Sequence, residues 1–180
     1  MTGGLFAVVG PSGAGKDTLM EAVAARRPEV RLVRRVITRP SSAGGEVFEG
    51  VTEEDFAARV AAGGFALHWR AHGLGYGVPV SVASDLAAGR LMLCNLSRAV
   101  LPDAAERFPG MRVLHVTARP EVLAGRLSAR GRESAGDIAA RLTRAGYPLP
   151  GGLRVTEIDN SGALEEAVAQ MLAALQPARA

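Results

Sequence analysis

The stretch Leu5-Phe6-Ala7-Val8-Val9-Gly10-Pro11-Ser12-Gly13-Ala14-Gly15-Lys16-Asp17-Thr18 leaves this chain few ways to fold. A short apolar run rich in β-formers breaks into small, turn-forming residues. Leu19, Met20 and Val23 then take up a helical spacing. Strand, glycine loop and helix follow one another directly, and Gly10-x4-Gly15-Lys16 has the spacing of a phosphate-binding loop. Glycines let successive backbone N–H groups curl around an anion without a Cβ in the way. The helix N-terminus adds its partial positive charge, and Lys16 supplies a mobile point charge for the outer phosphates. A glycine turn opening an ordinary helix is the alternative, and the strand before it tells against that. Gly10, Pro11, Ser12, Gly13, Ala14, Gly15, Lys16, Asp17 and Thr18 are therefore the expected nucleotide-phosphate contacts. One position departs from the motif. A Ser or Thr hydroxyl that helps hold Mg²⁺ is expected after the lysine, and Asp17 stands there instead, with Thr18 next.

The charge inventory sharpens this reading. Of 21 basic residues Lys16 is the one lysine, and the other 20 are arginines. Arginine is this chain's default cation, so a lysine kept at that one position points to a specific need. The arginines are scattered, and aromatic residues make up only 4% of the chain. Small anionic ligands fit that pattern better than nucleic acid, which calls for a basic block or a stacking platform. Cys94 lies alone in an apolar run, so no disulfide framework exists and the thiol reads as inert core. No apolar run approaches the length of a membrane span, and no signal peptide is visible. No membrane partner and a cytoplasmic location are the expectation.

The 180 residues predict one domain. Strands are expected at Leu5 to Val9, Val30 to Thr38, Phe65 to Trp69, Leu91 to Cys94, Arg112 to Val116 and Leu153 to Ile158. Gly73 to Gly77 reads as a tight loop. Helices are expected between most of these, including one opened by Thr52 and another capped by Asp137. The alternation predicts an α/β fold, a parallel sheet with helices on both faces. Ligands of such sheets sit at the carboxyl ends of the strands. The segment from about 39 to 89 breaks the alternation and reads as an inserted substrate-binding lobe, between core segments 1–38 and 90–180.

Several motifs together resemble guanylate kinase: the loop with Lys16, Val36-Ile37-Thr38-Arg39-Pro40, Glu46, Tyr76-Gly77, Arg126-Leu127 with Arg130-Gly131, Ile138 with Arg141-Leu142, and Asp159-Asn160. The resemblance runs over nearly the whole chain and implies the three-layer P-loop kinase fold, with a lid at about 130–137. The guanine-binding residues are altered. Serines follow Arg39 where a second arginine is expected. His68 replaces a carboxylate before Trp69, and Asn95 and Ser97 stand where aspartates end the third strand. These departures match another family of the group. Gly-Lys-Asp-Thr, Ile-Thr-Arg-Pro-Ser-Ser-Ala-Gly, Phe-Ala-Leu-His-Trp, Tyr-Gly-Val, Asn-Leu-Ser-Arg and Arg-Gly-Arg-Glu are similar to ribose 1,5-bisphosphate phosphokinases of phosphonate catabolism. That resemblance implies ATP-dependent phosphorylation of ribose 1,5-bisphosphate to 5-phospho-α-D-ribosyl 1-diphosphate. The residues alone reach an ATP-dependent kinase with a small polyanionic acceptor. A nucleoside monophosphate kinase and a non-catalytic guanylate-kinase-like module stay open as alternatives, and so does a homodimer.

A phosphate acceptor is already anionic, so it needs charge neutralisation and positioning but no general base. The resemblance implies Lys16, Arg130 and Arg141 as catalytic residues, with Arg126, Arg130, Arg132 and Arg141 on the lid. Arg39 is implied as an acceptor-phosphate ligand. Arg35, His68, His72, Tyr76, Ser97 and Arg98 are further candidates for the acceptor. Asn160 is a candidate adenine contact, with a turn role as the alternative. Asp17 is the expected Mg²⁺ ligand, its carboxylate replacing the one that Asn95 lacks, with an acid that merely suits the helix N-terminus as the alternative. The cofactors expected are thus ATP and Mg²⁺, and the partner is a phosphorylated sugar.

Overall fold

The computed structural model describes residues 3–43, 46–129, 131, 134–145 and 148–176. Five parallel strands form the main sheet: β1 (Gly4–Val9), β2 (Val30–Leu32), β7 (Leu91–Asn95), β8 (Arg112–Thr117) and β9 (Arg154–Asp159), in the order β2-β7-β1-β8-β9. β1 pairs with β7 on one side, Ala7 opposite Cys94, and with β8 on the other, Val8 opposite Leu114. Its alternating side chains serve two cores. Phe6 and Val8 pack with Leu19, Met20 and Val23 of α1 (Lys16–Arg26), Leu123 of α5 (Pro120–Ala129), and Ala167, Val168 and Met171 of α7 (Leu164–Ala174). Leu5, Ala7 and Val9 face Val82 of α3 (Ser81–Ala87) and Leu101 and Ala104 of α4 (Leu101–Arg107). This is the three-layer α/β arrangement that the strand–helix alternation predicts. The thiol of Cys94 is wholly buried on β7, and burial pushes it up to about 12.

A second, four-stranded sheet is made of β3 (Val36–Ile37), β4 (Glu49–Gly50), β5 (Phe65–Ala71) and β6 (Leu74–Pro79), in the order β4-β3-β6-β5. Two expectations are corrected here. Val30 to Thr38 is not one strand: β2 belongs to the main sheet and β3 to the small one. Val33 still donates its N–H to Leu93 of β7, and beyond it Arg35 turns inward to a buried ion pair with Glu46. The second correction is β6, which occupies the stretch read as a loop. Gly75 and Gly77 are there because rings lie on the strand. A Cβ on Gly75 would sit 2.9 Å from the Phe56 ring, and one on Gly77 2.4 Å from the Phe65 ring. The turn between β5 and β6 is His72-Gly73, with both φ values positive, as a two-residue hairpin requires.

Helix α2 (Glu53–Ala61) starts as expected, with Thr52 Oγ1 accepting from the Asp55 N–H at 3.1 Å. Helix α6 (Ala135–Ala145) starts differently. Ser134 is its cap: its hydroxyl oxygen accepts from the Asp137 N–H at 3.2 Å, and the Asp137 carboxylate accepts the Ser134 N–H in return. Asp137 is thus the reciprocal partner in a capping box rather than the cap itself.

Candidate active site

The loop from Gly10 to Gly15 lies at the carboxyl end of β1, the central strand of the main sheet. Two contacts explain its glycines. A Cβ on Gly10 would stand 2.2 Å from the Val116 carbonyl oxygen, so β8 leaves no room for one. Gly15 has φ 83°, where an L side chain is strained, and faces the Asn160 amide. No side chain caps the helix that follows, so the first-turn N–H groups of α1 are left for an anion. The Lys16 ammonium donates to the carbonyls of Gly10 at 2.9 Å and Pro11 at 3.1 Å. It is thereby held across the mouth of the loop.

The loop is braced from behind by two residues that sequence reasoning assigned elsewhere. Asn160 is 4% exposed and donates its side-chain amide to the Ala14 carbonyl at 2.7 Å, while its backbone N–H goes to Thr117. Its amide nitrogen is committed to bracing the loop. Arg126 lies on α5 rather than on a lid segment. It donates to the Asn160 carbonyl at 2.8 Å and to the carbonyls of Gly13 and Ala14 at 3.4 Å each. Apart from the Ala14 N–H, which goes to the Pro11 carbonyl at 3.2 Å, ties to the inward carbonyls leave the loop's amide hydrogens for a ligand.

Asp17 and Asn95, the two departures from the motif, touch each other. The Asn95 amide donates to Asp17 Oδ1 at 3.0 Å. Asp17 Oδ2 has no partner among the described residues. A single hard carboxylate, fixed by an amide beside a phosphate loop, suits Mg²⁺, which keeps most of its shell as water and phosphate oxygen. Among the described residues no group of three or more His, Cys, Asp or Glu is placed to hold a metal unaided.

Two cavities flank the loop and share Ser12. One, of about 260 Å³, is lined by Ser12, Gly13, Gly15, Lys16, Asp17, Thr18 and Glu21. The other, of about 270 Å³, lies against Gly10, Pro11 and Ser12 and is completed by His72, Leu96, Ser97, Arg98 and Arg141. Four predicted residues from the β5–β6 turn, the end of β7 and α6 thus converge on the loop. The second cavity has two arginines, a histidine and two serines on its wall and, among the described residues, no carboxylate. His72, which reaches it, is the one non-glycine residue with positive φ among those described.

Other candidates are placed away from these cavities. Arg35 is 6% exposed and binds Glu46 through both guanidinium and carboxylate, Nε to Oε2 at 3.1 Å and Nη2 to Oε1. It lies over Trp69 and Tyr76, whose rings stack 5.3 Å apart. Arg35 and Tyr76 are therefore packed within the small sheet, and neither lines the two cavities. His68 neighbours Trp69 on β5 and, by strand alternation, faces the opposite side, exposed near Phe65. It too is not brought to the loop. Arg39 lies 4.3 Å from the Phe48 ring centroid at the edge of the small sheet and lines neither cavity. Arg130 and Arg132 lie outside the described residues. His115 sits on β8 with its Nε2 buried and unpartnered, and burial lowers its pKa against the opposing pull of Glu157, 3.5 Å away.

Comparisons with known proteins bear on this geometry. The chain is 53% identical over 179 residues to "Ribose 1,5-bisphosphate phosphokinase PhnN" of Ruegeria sp. (strain TM1040), covering 99% of this chain and 94% of that one. A protein of the same name from Rhizobium etli (strain CIAT 652) is 49% identical, covering 95% of this chain and 88% of that one. Among solved structures, guanylate kinase from Anaplasma phagocytophilum superposes with a TM-score of 0.65 at 18% identity, covering 97% of this chain and 85% of that one. No family model matches the chain. The solved structure carries the fold alone, a guanylate-kinase-like P-loop kinase fold.

Proposed function

The chain belongs to the ribose 1,5-bisphosphate phosphokinase family, and from that premise we propose that it transfers the γ-phosphoryl group of ATP to the 1-phosphate of ribose 1,5-bisphosphate. An oxygen of that phosphate attacks the γ-phosphorus, the bond from the γ-phosphorus to the β–γ bridging oxygen breaks, and ADP leaves. The other product is 5-phospho-α-D-ribosyl 1-diphosphate. No proton moves at the attacking oxygen. ATP phosphates occupy the Gly10–Thr18 loop. Asp17 would hold Mg²⁺, directly or through water, and the charge of the bound ion would offset that of the ATP phosphates. Lys16, leaving the Gly10 and Pro11 carbonyls, and Arg141 neutralise charge on the transferring group. Arg130 keeps the lid role that the resemblance implies. The β3–β6 sheet serves as the acceptor lobe, with Arg39 at its edge as an acceptor ligand. A cytoplasmic location accords with the use of ATP.

One observation carries this reading. Among the described residues, the cavity beside the loop is walled by His72, Ser97, Arg98 and Arg141 with no carboxylate. A kinase of sugar hydroxyls would more naturally carry an aspartate near its acceptor, and a guanine site needs a carboxylate for the base's donors. A phosphate acceptor needs cations alone. The test offers ATP with ribose 1,5-bisphosphate, GMP or gluconate in separate coupled assays. Turnover with the bisphosphate and not the others is expected, and comparable turnover with GMP or gluconate would overturn the assignment. Arg98→Ala should raise the acceptor KM by about 10-fold or more, the worth of one charge-assisted phosphate contact, with the KM for ATP little changed.

A further inference from the structure

A cavity of about 900 Å³, more than three times the volume of either one beside the loop, opens at the opposite end of the main sheet. Its floor is where β1, β7 and β8 begin, at Gly4, Leu91 and Arg112. Its charge is one-sided. Arg27, Arg31, Arg90, Arg112 and Arg154 line it, against the single acid Glu29. That local excess of four exceeds the net +3 of the whole chain.

The arginines are only partly compensated from within. Arg27 pairs with Glu29 at 2.7 Å, yet one of its guanidinium nitrogens is buried without a hydrogen-bond partner among the described residues. Arg90 pairs with Asp85 at 3.0 Å. Arg112 lies over the Phe6 ring, 4.1 Å from its centroid, and its side chain has one hydrogen bond among the described residues, to the Gln176 carbonyl at 3.3 Å. Burial and the neighbouring Arg154 both pull its pKa below the ordinary 12.5. Arg31 and Arg154 have no ion pair or hydrogen bond among the described residues. Like charges gathered in one concavity repel each other, which favours an anion among them.

The sheet order sets the spacing of these groups. Arg112 and Arg154 stand on β8 and β9 at one edge. Arg27, Arg31 and Arg90 stand by β2 and β7 at the other, with Gly3-Gly4 between them. Four strand spacings separate β2 from β9, about 19 Å at the backbone, and long arginine side chains narrow that span. Guanidinium forks match phosphate oxygens. Glycines in the middle let a ligand approach the main chain. We propose that this cavity is a second ligand site, which takes a small molecule carrying phosphate groups at two ends.

The experiment titrates fructose 1,6-bisphosphate and fructose 6-phosphate into the full chain by calorimetry. The wild type is compared with an Arg31→Gln/Arg154→Gln double variant and with Arg98→Ala. Saturable binding of the bisphosphate is expected in the wild type and in Arg98→Ala. It should weaken about 10-fold or more in the double variant, which loses charge-assisted contacts at both edges. The monophosphate should bind more weakly than the bisphosphate. Without ligand the double variant should melt no lower than the wild type and turn over at the same rate, because the two side chains it changes are exposed and unpaired. Binding lost in Arg98→Ala and kept in the double variant would assign the bisphosphate to the acceptor cavity and overturn the proposal. So would no saturable binding, or equal binding to wild type and double variant.

Discussion

Asp17 and Asn95 hold each other through one hydrogen bond at 3.0 Å, so neither departure from the phosphate-loop pattern is independent of the other. A carboxylate beside ATP phosphates repels them unless a cation stands between. The amide of Asn95 orients that carboxylate without adding a second negative charge. Asp17→Ser should therefore raise the Mg²⁺ concentration for half-maximal turnover by about 10-fold or more, the usual range for disturbing a metal's oxygen ligands and their supports. Asp17→Ser with Asn95→Asp returns the carboxylate to the strand and should recover part of the loss. A Mg²⁺ titration of the three proteins checks both, and an unaltered Mg²⁺ dependence in the single variant would sink the assignment.

At the scale of elements, the pair of Arg35 and Glu46 ties the segment that leads into β3 to the segment before β4. Their side chains are 8% and 16% exposed. Removing one partner strands the other charge away from water. Glu46→Ala should cost about 3 kcal/mol of stability, read as a lower urea midpoint. Arg35→Met combined with Glu46→Leu should recover most of it, since no unpaired charge then remains. This pair also explains what the sequence left hidden. The main sheet was legible because its parallel strands, buried on both faces, read as apolar runs such as Leu91 to Cys94. The break between β2 and β3 was not, because Arg34 and Arg35 preserve the alternation of a strand while Arg35 turns to a partner eleven residues away. β6 was missed for a similar reason: Gly75 and Gly77 look like turn residues until Phe56 and Phe65 are placed over them. In the site, Lys16 and its loop were legible from spacing. The bracing by Arg126 and Asn160 joins residues more than 110 and 140 positions from the loop, and local pattern holds no trace of such contacts.

At the scale of the molecule, His115 links folding to pH. It sits in the middle of β8, with Glu157 of β9 beside it and the charges of Arg98 and Lys16 near enough to oppose its protonation. Burial is the largest influence and lowers its pKa below 6.5. The unfolded chain then holds more protons than the folded one in that window, so stability rises with pH through it and is lost as pH falls below about 6.5. His115→Gln should flatten the fall in urea midpoint between pH 7.5 and 5.5, and an equal fall in both proteins would remove His115 as its source. Asp137 and Asp159 act in another window. Hydrogen bonds from Ser134 and Ser161 hold their carboxyls below 3.8, so what they contribute is lost only in stronger acid.

The place of β1 in the sheet bears on how the protein is made. Its neighbours are β7 and β8, which pair Ala7 with Cys94 and Val8 with Leu114. Both lie far downstream, so during synthesis β1 leaves the ribosome long before either partner exists. Until then its apolar residues have no sheet to join, and contacts of such long sequence separation form late. The nucleotide loop that hangs from its end cannot take shape earlier than the strand itself. A nascent chain halted before β8 would therefore fail to retain ATP, and one released just beyond Asn160 would be the first to carry the loop together with its braces.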